Sequence, residues 1–529
     1  MCIRDRSTGD NVASTDISAN GNISGVTTLT LSDVGGTATF AGDVDVTTLT
    51  VGNTVANVAL NGDGSTVTNT VSFANDGTLQ LADATGDTLT FNGGVTTTGV
   101  GGTVTLNGTI NASDDAITLG AVTLGSNTTV DTNAASTNTA DLTIGAVTGG
   151  SNTLTLSTEN NIANADITAS GAISGVTTLT ISNAGGTTTL SGDVDVTTLA
   201  IGNTVANVAI NGDGSTVSND IDFANDGTLQ LGDASGDTLT FNGGLDTSDV
   251  GGTVTLNGTI DTSNDAITFG AVTLGSATTI DTNATNTTGD LTIGAVTGGS
   301  NALTLSMGNN VANTDISATG NISGVTTLTL QNVGGTATLS GDVDVTTLAV
   351  GNTVANLAFT GNGSTVTNDI DFANDGTLTL GASGGTQTYN GGLDTSGVGS
   401  TVTLNGTIAT SNDAVTFGAV TLGSATTIDT NASNTTGDIA IGAVTGGSNN
   451  LTLTTGDNVA NSDITASGAI SGLGNLTLAD VGGTATFSAN VAAAALSADS
   501  TVANLVFTGA SNTFSAASTL ANDLSLIHI

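Results

Sequence analysis

Three copies of the octapeptide GDVDVTTL hold the residues best placed to do chemistry: Asp43 with Asp45, Asp193 with Asp195, and Asp342 with Asp344. In an extended chain, residues two apart share a face. Val44 and Val46 therefore point one way and both carboxylates the other. Two carboxylates spaced in this way, roughly 6–7 Å apart, could serve as the acid and base of a glycosidase. Nothing apolar or cationic nearby would separate their pKa values, however, and the fourth copy replaces the segment with SANVAAAA. Aspartates with asparagines and backbone carbonyls are also the hard oxygen ligands that Ca²⁺ takes. If coils stack, Asp residues of adjacent repeat units could share an ion. The six aspartates are thus candidate surface Ca²⁺ ligands. The loop NGDGS at Asn61 and Asn211 resembles part of a calcium loop, but the third copy reads TGNGS, with Asn362 where Asp63 and Asp213 stand. EF-hand spacing and the glycine-rich calcium nonapeptide are both absent. The simpler reading makes these aspartates solvated turn residues.

The rest of the inventory excludes most chemistry. Between residues 7 and 527 there is no Lys, Arg, His or Cys; Arg4, Arg6 and Cys2 sit in the opening MCIRDR, and His528 in the closing SLIHI. A Ser-His-Asp triad, a thiol nucleophile and a Schiff-base lysine are therefore unavailable there. So are imidazole and thiolate ligands for zinc, and no stretch matches the phosphate loop GxxxxGK[ST]. The sequence reads as a non-enzyme, with no catalytic residue assigned. A formal charge of −43 repels nucleic acid, which is bound through Lys and Arg. That charge also gains nothing from anionic membrane surfaces. No apolar run is long enough to span a bilayer, and MCIRDRSTGD lacks the apolar region of a signal peptide. Residues 1–10 and 524–529 break the pattern described next. They read as non-native ends on a window cut from a longer frame.

What must position the aspartates is a repeat. The block NVASTDISANGNISGVTTLTLSD at Asn11 returns at Asn161, Asn310 and Asn458, giving spacings of 150, 149 and 148 residues. The units are 11–160, 161–309, 310–457 and a partial 458–523. Within each, runs such as TTLTL, TATF, TVSFA and AITLGAV alternate apolar and small polar residues, the mark of half-buried strands. Separators rich in Gly, Asn, Asp and Ser are turn chemistry. With 37% apolar residues, 75 glycines, no proline and 9% charged residues, this is a strand composition able to bury a core.

Comparing copies shows which positions face inward. Phe40 becomes Leu190, Leu339 and Phe487; Leu60 becomes Ile210, Phe359 and Phe507; Phe91 becomes Phe241 and Tyr389. Volume is exchanged and apolar character kept, as stacked core layers allow. The pattern predicts an all-β fold, a parallel β-helix (β-solenoid) of right-handed coils forming a continuous rod, with about 20–25 residues per coil at ~4.8 Å rise. Tandem β-sandwich domains are the competing fold. The T-x-T triplets, such as Thr28 with Thr30, are too unevenly spaced for a flat ice-binding ladder and read as outward strand threonines.

Segments such as GDLTIGAVTGGSNALTLS and NDAITFGAVTLGSATTIDT resemble the passenger repeats of filamentous-haemagglutinin-type adhesins and autotransporters, over residues 11 to 523. The resemblance implies secretion to the bacterial cell surface and a stalk that adheres to an extracellular surface, glycan or matrix. A self-associating envelope or biofilm-matrix component assisted by Ca²⁺ is the alternative. A polysaccharide-acting enzyme is a more distant one.

Overall fold

The computed structural model describes residues 5–7, 15–135, 140–286, 289–433, 437–521 and 527–528. Cys2 and Arg4 lie outside these, and for Arg6 and His528 only the backbone is described. Among the described residues all regular structure is β-strand, paired in parallel as a β-solenoid. The chain divides into two compact units, 1–263 and 264–529.

In the first unit, alternation decides burial. Val44–Val51 places Val44, Val46, Leu49 and Val51 inside and turns Asp45 and Thr47 outward. Each fully buried Val, Leu, Ile or Phe side chain contributes about 1.5–3 kcal/mol, and Leu29, Val58, Leu79, Val104 and Val130 are likewise buried. Coils stack by in-register pairing. Ile17 lies beside Ala38, Ala38 beside Val58, Val58 beside Leu79 and Leu79 beside Val104, with steps of 21, 20, 21 and 25 residues. Steps differ because the turns do, while the inward residues stay aligned.

The first repeat unit spells out the coil. Sixteen strands run from Ile17–Ala19 to Leu154–Ser157. Four of them, Ile23–Ser32, Val44–Val51, Val104–Ala112 and Val122–Asp131, bend round a corner and serve two faces. That makes twenty segments, and each lies against the third segment after it, giving three faces per coil. The corner in Ile23–Ser32 is a bulge between Ile23 and Val26, where Gly25 takes φ 70°. A left-handed φ suits glycine, and glycine recurs with φ 66°, 68° and 65° at 175, 324 and 472.

The second unit repeats the same construction. Ile316 pairs with Ala337, Ala337 with Leu357 and Leu357 with Leu378. The copy-variable core residues Phe40, Leu190, Leu339, Phe91, Phe241 and Tyr389 are all buried. Phe507 is half-buried and stacks on Phe487 at 5.0 Å.

Candidate functional site

In the first and third copies of GDVDV the structure separates the two aspartates by role. Asp43 is half-buried in the turn: Asn22 Nδ2 donates to its Oδ2 at 2.8 Å, and its own N–H donates to Asn22 Oδ1 at 3.1 Å. Asp45 is exposed on the strand and accepts the Thr66 N–H of the next coil at 3.2 Å. In the third copy the Asp342 N–H again donates to an asparagine, Asn321 Oδ1 at 3.0 Å, but its carboxylate turns to the following coil. Asp342 accepts the Gly363 N–H at 2.8 Å, and Asp344 accepts the Thr365 N–H at 3.1 Å. Asp193 and Asp195 hold no side-chain hydrogen bond among the described residues. In two copies of three, then, these carboxylates fasten one coil to the next.

The aspartates of adjacent repeat units do not stack. Asp45 lies in the column Asp45–Thr66–Thr90–Asn111–Asp131. Asp195 lies in a different column of the same unit, over Ser174, Thr148 and Thr123. Twenty segments are not a multiple of three, so the second copy begins one face away from the first. The idea that Asp residues of adjacent units share an ion therefore fails for these two pairs. Among the described residues no group of three or more His, Cys, Asp or Glu side chains is placed to hold a metal ion.

Other carboxylates do stack, at positions the sequence did not single out. Asp222 is in register with Asp246, and Asp371 with Asp394. Loss of hydration raises the Asp222 pKa above the usual carboxylate range, and Asp220, Asp246 and Asp249 raise it further. A second stack runs through Asp141 and Asp166. The Asp166 N–H donates to Asp141 Oδ1 at 3.0 Å, and the Thr187 N–H to Asp166 Oδ1 at 2.7 Å. Asp290 with Asp315 and Asp438 with Asp463 repeat it. The signal for these stacks was there in the aspartates themselves, but it needs the coil length to be read.

One concave feature recurs with the repeat. Beside the Gly25 bulge lies an open groove of ≈ 460 Å³ lined by Asp45, Thr47, Thr66 and Thr68 and bordered by Val26 and Val46, which are buried in the core. Counterparts of ≈ 310 and ≈ 300 Å³ hold Asp195 and Asp344. The fourth, ≈ 330 Å³, has Ala492 in place of the aspartate and is lined by Leu473 and Phe514. The bulge creates the groove by turning the backbone outward for one residue before pairing resumes at Val26 with Val46.

Comparison with protein-family models, curated proteins and solved structures finds no match. Fold and site together define a class, a β-solenoid repeat protein whose surface repeats one groove.

Proposed function

We propose that the chain is a structural, adhesive stalk segment of a secreted or cell-surface bacterial repeat protein, and that it has no catalytic role. The observation that carries this reading is the use of the candidate catalytic carboxylates. Asp45 and Asp344 are each committed to a backbone N–H of the following coil. A general acid needs an environment that sets its pKa apart from its partner's, and the groove carboxylates stand in open, threonine-lined surface. The resemblance to adhesin passenger repeats supports surface localisation and attachment to an extracellular surface, glycan or matrix.

The test is adhesion by the purified chain. Beads coated with it should adhere to bacterial or host-cell surfaces, and plant or microbial polysaccharides incubated with it should gain no reducing ends. Beads that adhere no better than albumin-coated ones would defeat the stalk reading, and released reducing ends lost in Asp45→Asn would replace it with the enzyme reading. A second reading, Ca²⁺-assisted self-assembly, draws on the stacked pairs Asp222 with Asp246 and Asp371 with Asp394. Light scattering that rises with Ca²⁺ but not with Mg²⁺ would favour it.

A further inference from the structure

One turn is built differently in the third repeat unit. In the first two units it holds Asp63 with Gly64 and Asp213 with Gly214. Both glycines take φ 102°, and each donates its N–H to a carbonyl of the next coil, Thr88 or Thr238, at 2.9 Å. In the third unit the pair is Asn362 with Gly363. Here the glycine leaves the left-handed region, and its N–H donates to Asp342 Oδ1 at 2.8 Å. Asn362 and Gly363 are both exposed, and the Asn362 carboxamide makes no hydrogen bond among the described residues. The Asn362 backbone is held in place, since its carbonyl accepts the Thr386 N–H at 2.7 Å. An asparagine followed by glycine lets the next backbone nitrogen approach the side-chain carbonyl, because glycine has no Cβ in the way. What holds such a pair back is the amide proton, which keeps the nitrogen from acting as a nucleophile. A carboxylate already bonded to that proton is a general base in position.

We propose that Asn362 is a self-deamidation site whose base is Asp342. Asp342 Oδ1 takes the Gly363 amide proton as that nitrogen bonds to Asn362 Cγ. The Cγ–Nδ2 bond breaks, and Nδ2, with its two hydrogens and that proton, leaves as ammonia. Water then opens the cyclic imide, at one carbonyl to aspartate and at the other to isoaspartate. The net reaction is hydrolysis of one side-chain amide, which adds one negative charge to the chain. Aspartate at 362 is the residue that the first two units hold at 63 and 213, so this product fits the turn. Isoaspartate instead lengthens the backbone of the turn by a methylene. The inference is independent of the stalk reading.

The experiment incubates the full chain at mildly alkaline pH, digests it with chymotrypsin and follows the fragment after Phe359 by mass spectrometry for conversion of amide to acid. Two other Asn-Gly pairs of the chain serve as internal standards. Asn20 with Gly21 is exposed and has no carboxylate on its glycine N–H among the described residues. Asn107 is buried, and its Nδ2 donates to the Ala82 carbonyl at 3.0 Å. Asn362 should react fastest and Asn107 slowest. Asp342→Asn keeps an oxygen acceptor but removes the base. It should slow Asn362 about tenfold, a modest factor because a carboxylate is a weak base towards an amide proton, and leave Asn20 unchanged. Asn107 staying intact in that variant confirms that the coils have not opened. Asp63→Asn tests the base without touching the third unit, because it puts an Asn-Gly pair where the glycine N–H meets the Thr88 carbonyl. That turn should also react about tenfold more slowly than Asn362. Equal rates at Asn362 and Asn20, an unchanged rate at Asn362 in Asp342→Asn, or a rate in the Asp63→Asn turn matching that at Asn362 would each overturn the proposal.

Discussion

The Tyr389 hydroxyl donates to Gln387 Oε1 at 2.9 Å, and both side chains are buried. The glutamine in turn donates through Nε2 to the Phe359 and Gly361 carbonyls at 2.9 and 3.2 Å. In the first two repeat units the same positions hold Leu89 with Phe91 and Leu239 with Phe241, all buried and apolar. The third unit has exchanged an apolar pair for a polar pair whose members satisfy one another.

The two substitutions are therefore coupled. Gln387→Leu strands the phenol in the core, and an unsatisfied buried donor costs about 1–3 kcal/mol. Adding Tyr389→Phe restores the arrangement of the earlier units and should recover most of that loss. Local hydrogen exchange of the Thr386–Tyr389 strand in the single and double variants measures both. Additive effects would show that the pair does not interact.

Tyr389 is the chain's only tyrosine, and there is no tryptophan. Burial raises its hydroxyl pKa far above the ordinary phenol value. A raised folded pKa gives stability that is present below the unfolded value near 10 and is lost as pH climbs towards the folded one. An alkaline titration followed by tyrosinate absorbance should stay flat past the ordinary phenol midpoint, then rise together with the loss of β-sheet circular dichroism. A reversible midpoint near 10 in the folded chain would contradict the burial.

The in-register carboxylates make a prediction of the same sense in a lower pH range. Asp222 faces Asp246 across one coil step, and its pKa is raised by lost hydration and by its acidic neighbours. The folded state thus binds a proton more readily than the unfolded chain. Stability contributed by the protonated form is present below the unfolded pKa and is lost as pH rises through the folded one. Asp222→Asn should raise the thermal midpoint at neutral pH by a few degrees at most, since exposed charges are screened. The gain should shrink at acid pH and in high salt. A gain unchanged by salt would point to a cause other than repulsion.

The inward residues were legible in the sequence because period-two alternation marks one face of a strand wherever that strand pairs. Phe40, Phe91 and their copies could be placed inside for that reason, and Val44 and Val46 with them. Pairing partners were not legible. Alternation says nothing about which later segment lies alongside, and coil steps from Leu79 to Val104 and from Val104 to Val122 differ, at 25 and 18 residues. Without the step, Asp222 and Asp246 are two unrelated acids, and Asp45 and Asp195 look like successive rungs of one ladder. The groove was hidden for a similar reason. Its glycine at 25 reads as an ordinary turn residue until the register shift beside it is seen.

The change of face between repeat units can be tested by chemical cross-linking inside the first unit. Thr168 is the copy of Ser18. The column of Ser18 runs through Thr39, Ala59, Gln80, Thr105 and Thr123 to Thr148. Had the repeat contained a whole number of coils, Thr168 would continue that column directly above Thr148. Instead Thr168 is in register with Thr143, and the place above Thr148 is taken by Ser174. Neighbouring parallel strands lie about 4.8 Å apart, within reach of a short bifunctional thiol reagent. In a background with Cys2 replaced by Ser, the pair Thr143→Cys with Thr168→Cys should cross-link rapidly in the native chain, whereas Thr148→Cys with Thr168→Cys should not. Both pairs should react alike once the chain is unfolded. Preferential linking of the second pair would mean that every repeat unit starts on the same face, and the grooves at Asp45 and Asp195 would then share one side.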